Sequence, residues 1–198
     1  MKCHLIALAL PALLGGCLLA PNAYYEPSGP EGELRQTLTA CEVFGPAQNL
    51  VVAIDRSLDL VVSAEPFNYA TDTRDYGATV SFVFLSDQAI TIPNTDIVAL
   101  IDGRDVPLAF IEDRAASSRN SIGPILPEET SYRRIRLQGQ PVRSGVFSRI
   151  TLLYGVPGEA PEAFSITPPT VQIGQKTFDA PKVSFEKKTN ITSYSLNC

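Results

Sequence analysis

The 198-residue chain has no tryptophan, a single methionine at its first position, and one histidine, His4. From Leu5 onward there is therefore no imidazole. Over that length this excludes hydroxyl or thiol nucleophiles activated by histidine, and zinc or iron centres built on histidine ligands. No glycine-rich phosphate cradle occurs. Charge of either sign is modest, with 16 basic and 21 acidic residues, which favours solubility and gives no electrostatic reason to bind nucleic acid. Helical periodicity is also scarce: no run keeps it beyond two turns, apart from a brief helix expected over residues 31–39, where Glu31 and Glu33 suit a helix start. Long apolar runs are confined to the first twenty residues.

Those residues carry the strongest positive signal. Lys2 precedes ten apolar or small residues, 5–14, and then Leu14-Gly15-Gly16-Cys17. As a helix, residues 5–20 would span about 24 Å against a hydrocarbon core of about 30 Å, with Pro11 and two glycines weakening it, so a transmembrane anchor fits poorly. An ordinary secretory cut after Ala20 would leave Pro21 at the new terminus and Leu18 where a small residue is preferred. The stretch Leu14-Gly15-Gly16-Cys17 resembles the lipobox of bacterial lipoproteins. The resemblance covers residues 1–20 only. It implies that residues 1–16 are a signal peptide, that Cys17 is lipidated and becomes the new amino terminus, and that Leu18, in place of aspartate, favours sorting to the outer membrane. Several acyl chains together give stable anchoring where one is marginal.

Removal of residues 1–16 takes away Cys3, His4 and one positive charge, moving the net charge from -5 to -6. Cys41 and Cys198 then remain as thiols. Two cysteines in an exported chain suggest a disulfide, with buried free thiols as the alternative. A Cys41–Cys198 bridge closes a loop of about 157 positions and contributes about 5 kcal/mol in the chain-entropy description.

Residues 17–40 are read as a lipidated terminus and flexible tether, because residues 18–33 hold three prolines, two glycines and three glutamates. Tyr24-Tyr25 within it are expected to rest at a membrane interface. From residue 41 to 198 the expectation is an all-β domain, an antiparallel β-sandwich of the immunoglobulin-like two-layer kind. Short runs of period-two or continuous apolar character occur at 50–54, 58–63, 78–85, 89–92, 96–101, 106–111, 131–137, 147–156, 163–167, 170–173, 182–185 and 191–196. Asp102-Gly103 and Gly174-Gln175 mark tight hairpins. Val80, Phe82 and Phe84, with Ile150, Leu152 and Tyr154, are the core nominees. Pro107, Pro168, Pro169 and Pro181 mark strand edges or starts. A split into two sandwiches near residues 157–161 is the alternative to one domain.

Two loops stand out: 113–130, which suits partner contact and simple disorder equally, and 67–77, whose composition suits a sugar or peptide contact but is better explained as an ordinary solvated hairpin loop. In a strand, Tyr132, Arg134 and Arg136 project from one face. They form either an anion or partner contact or cross-strand pairs with neighbouring acids. The carboxylate pairs Glu112-Asp113, Glu128-Glu129 and Asp72/Asp75 lack any sign of facing each other across a cleft. Asp102-Gly103-Arg104-Asp105 and Asp72-Thr73-Arg74-Asp75 lack calcium-loop spacing. Serine–lysine dyads, Ser184 with Lys182 or Ser165 with Lys176, are formally open. Lys176, Lys182, Lys187 and Lys188 gather near the carboxyl end, where on strands they protect exposed edges.

The expectation is a non-enzymatic lipoprotein of the bacterial envelope, held by its lipid in the outer membrane and facing the periplasm. It would act as an interaction or assembly module for another envelope protein, without cofactor, metal or nucleic acid. The alternative is a small-ligand or glycan-binding sandwich.

Overall fold

In the computed structural model the described residues are 17–30, 32–35, 42–44, 46–66, 76–107, 111–115, 133–135, 141–143 and 149–195. Among them the regular structure is entirely β, in antiparallel sheets, a β-sandwich architecture. The largest sheet runs β11 (Arg133–Ile135), β10 (Ile111–Ala115), β13 (Arg149–Pro157), β6 (Tyr76–Ser86), β5 (Leu58–Glu65), β4 (Asn49–Asp55) and β2 (Glu33–Arg35). A second has the order β1 (Cys17–Ser28), β17 (Val183–Ser195), β14 (Ala163–Ile166), β8 (Val98–Ile101) and β9 (Arg104–Pro107), with β3 (Glu42–Phe44) also on β17. The third has four strands: β12 (Val142–Arg143), β7 (Ile90–Ile92), β15 (Val171–Ile173) and β16 (Lys176–Phe178).

Alternation dictates the core. In β5, Leu58, Leu60, Val62 and Ala64 turn inward while Asp59 and Glu65 face water. The adjacent β6 contributes Ala78, Val80, Phe82 and Phe84, and β13 contributes Ile150, Leu152, Tyr154 and Val156; all six nominees are buried. Ile90, Ile92, Val171 and Ile173 join the same cluster from the four-stranded sheet, as do Phe164, Ile166, Val183 and Phe185 from the second. The cluster thus draws on residues from both sides of 157–161.

Both hairpins form where expected. Asp102 and Gly103, between β8 and β9, have φ of 50° and 74°, the paired positive values of a turn that suits the right-handed twist of its strands. Gly174, with φ of 60°, turns β15 into β16. Pro107 closes edge strand β9, where a missing N–H costs no ladder bond.

Four expectations are corrected. Residues 17–28, read as tether, form a strand paired with β17 over twelve positions. Tyr25 is fully buried in the core rather than resting at a membrane interface, and Tyr24 is buried as well. Proline content misled here, because Pro21 and Pro27 are six residues apart and so share one side of the ladder. On an edge strand, that side can point away from the partner. The short helix over 31–39 is replaced, at residues 33–35, by the exposed strand β2, which satisfies the open edge of β4. Finally, residues 182–185 and 191–196, read as two strands, belong to the single β17 as far as Ser195.

Candidate functional site at the amino-terminal strand

Cys17 is the first residue of β1, and the register sets it opposite Ser195 at the end of β17. The position singled out for lipid attachment is therefore tied by a ladder to the last strand of the sheet. From there β1 passes across β5 and β4, closing the sandwich.

Tyr25 fixes that closure. Its hydroxyl donates to the Pro161 carbonyl at 2.7 Å, and its ring meets Phe164 edge-on with centroids 5.2 Å apart. Phe164 in turn stacks on Phe185 at 4.9 Å, a geometry that adds to area burial. Burial, then the nearby Glu162 carboxylate, pushes the Tyr25 phenol up to about 12. Next to it, burial and Glu26 raise the Tyr24 phenol; its hydroxyl donates to Glu26 Oε2 at 3.3 Å.

Charge begins at this level of the ribbon. Lys188 Nζ lies 2.6 Å from Glu26 Oε1 and 3.5 Å from Glu186 Oε2, and the hydrogen bond to Glu26 is the main reason its ammonium is held above its ordinary value. Lys187 Nζ reaches Glu162 Oε1 at 3.2 Å, while its backbone N–H donates to the Glu162 carbonyl at 2.8 Å. Lys187 and Lys188 therefore sit on an interior strand with acidic partners, correcting the expectation that they guard an edge; Lys176, on edge strand β16, does occupy such a place.

The other candidates fare differently. Arg134 lies on β11 opposite Glu112, and Arg133 opposite Asp113. Tyr132 and Arg136 lie outside the described residues, as do Cys41, Cys198, residues 67–75, residues 116–130 and with them Asp72, Asp75, Glu128 and Glu129. Asp102 and Asp105 belong to the β8–β9 hairpin. Ser165 faces Ser184 across the β14–β17 ladder, and Lys176 stands in a different sheet. One further serine–lysine spacing is present, Ser184 three residues before Lys187. On a helix these would share a face, but β17 turns them to opposite sides. Among the described residues no group of three or more His, Cys, Asp or Glu side chains is placed to hold a metal ion. Among them, too, no helix is long and apolar enough to cross a membrane.

The chain matches no family model, and neither the curated proteins nor the solved structures yield a match. Its functional reading rests on its own residues.

Proposed function

We propose that this protein is a bacterial envelope lipoprotein, anchored through acyl chains on Cys17 and acting as a non-enzymatic interaction or assembly module. The observation that carries the reading is Leu14-Gly15-Gly16-Cys17 at the end of a short apolar leader. Its support is that β1 runs from Cys17 to Ser28, so that cleavage before Cys17 leaves the strand whole. A bridge between Cys41 and Cys198 is part of the proposal. It is supported by the β3–β17 register, which sets Glu42, the neighbour of Cys41, opposite Tyr194, four residues before Cys198. An oxidising compartment outside the cytoplasm suits such a bond.

The module reading is tested by chemical cross-linking in intact cells followed by purification of the anchored protein. A stoichiometric envelope protein should be recovered with it. Recovery of no protein partner, together with binding to purified cell-wall glycan, would replace this reading by a glycan-binding one.

A further inference from the structure

Strand β2 ends the largest sheet. Among the described residues its one ladder partner is β4, and Glu33, Leu34 and Arg35 are all exposed. An edge of this kind offers backbone N–H and C=O groups to another strand. Leu34 stands opposite Leu50, and directly opposed residues share a face, so Leu34 lies on the core side of the sheet. Leu50 is 2 % exposed, whereas Leu34 is 46 % exposed. The apolar layer thus runs out to the edge of the sheet and stops there uncovered. On the other face, Arg35 Nη2 lies 2.9 Å from Glu33 Oε2, with both side chains in water. Such an exposed pair contributes little and gives up its partner readily.

We infer that β2 is a docking edge for a second copy of this chain, joined antiparallel about a two-fold axis at Leu34. That register sets Leu34 against the partner's Leu34, Glu33 against the partner's Arg35, and Arg35 against the partner's Glu33. Both charged rungs become opposite-charge pairs, and the two leucines cover each other on the core side. Other edge strands lack this match. The same operation on β11 sets Arg134 against Arg134, and on β16 it sets Lys176 against Phe178. Prolines interrupt β9 at Pro107 and β1 at Pro21 and Pro27. The axis of an antiparallel edge pair runs perpendicular to the sheet, so both copies keep the same face covered. β1 crosses that face at β5 and β4, which puts the two strands that carry Cys17 on one side of the joined sheet, where both anchors can enter one leaflet. The inference rests on the lipoprotein reading and gives its assembly role one surface and one partner. A three-residue edge makes few ladder bonds, so the pair is weak in dilute solution, and confinement by the acyl chains supplies the effective concentration it needs.

The test places a photoreactive benzophenone amino acid at position 34 of the full-length protein, purified from its native membrane and reconstituted in vesicles of phosphatidylethanolamine and phosphatidylglycerol. Irradiation should join two copies through residues 33–35, mapped by mass spectrometry. The yield should be at least about tenfold above that from the same label at Val98, an exposed position away from this edge. Glu33→Arg alone and Arg35→Glu alone each place like charges on both outer rungs, and each should lower the yield at least about fivefold. Mixing the two variants should restore it between unlike copies. Unlabelled protein, its dimer measured by native mass spectrometry from the same vesicles with the same charge variants, stands in if the label disturbs folding. Vesicle-bound protein that forms no dimer, that joins through other residues, or whose dimer ignores the charge reversals overturns the docking edge while leaving the anchor intact. Protein that does not associate with vesicles overturns both this inference and the lipoprotein reading.

Discussion

Single residues hold this sandwich at points where the backbone leaves no room. A Cβ on Gly77 would lie 2.1 Å from the Glu159 carbonyl carbon and 2.2 Å from the Ala160 nitrogen, both main-chain atoms that cannot swing aside. Gly77→Ala should therefore cost about 3 kcal/mol or more, read as a lowered urea midpoint. Tyr154 works by hydrogen bonds instead: its hydroxyl accepts from the Ile97 N–H at 3.3 Å and lies 3.5 Å from the Thr95 carbonyl, tying β13 to the segment before β8. Tyr154→Phe leaves that buried N–H without its partner and should cost about 1–3 kcal/mol. Burial pushes both Tyr154 and Tyr25 up to about 12, above the value near 10 of an unfolded tyrosine. Above pH 10 the unfolded chain releases phenol protons that the folded one retains, so the stability from these neutral phenols is complete below pH 10 and is lost as pH rises through 12. Urea midpoints measured from pH 9 to 12 should fall across that window, and the fall should be shallower in the Tyr25→Phe, Tyr154→Phe double variant. An unchanged slope would contradict this assignment.

At the scale of the element, legibility followed the strength of local chemistry. Alternating runs such as 78–85 and the Asp102-Gly103 turn announce themselves, because strand faces and positive φ are decided by neighbouring residues. The hairpin is correspondingly easy to test: a Cβ on Gly103 meets nothing within 4 Å, so Gly103→Ala should cost about 1 kcal/mol through φ alone. β1 was not legible. Its prolines and glutamate read as linker, and what makes it a strand is the partner β17, about 160 residues on, together with the contact of Tyr25 with Phe164, itself stacked on Phe185. Pairing across such a separation leaves no periodic mark in a short window. Hydrogen–deuterium exchange distinguishes strand from tether. Peptides covering residues 18–28 should exchange far more slowly than unstructured chain, and exchange at the unstructured rate would contradict the ladder. The candidate site was half legible for the same reason: Cys17 stood out from its local sequence, whereas its place opposite Ser195 depended on the distant strand.

On the scale of the whole molecule, Cys17 and the end of β17 come together, opposite each other in the ladder. The proposed anchor and the ladder that closes the sandwich therefore meet at one residue, Cys17. Loss of the acyl chains by Cys17→Ser should release the protein to the soluble fraction with its fold retained, since β1 begins at that residue and its core contact, Tyr25, lies eight positions further. The proposed Cys41–Cys198 bridge would reinforce the same end, and its reduction should lower the thermal midpoint without changing membrane association. Both outcomes follow from attachment at position 17, which is read most directly by mass spectrometry of the amino-terminal peptide of protein taken from its native cells. The account predicts a peptide beginning at Cys17 and carrying acyl chains; an unacylated peptide, starting at Met1 or beyond Ala20, would contradict it.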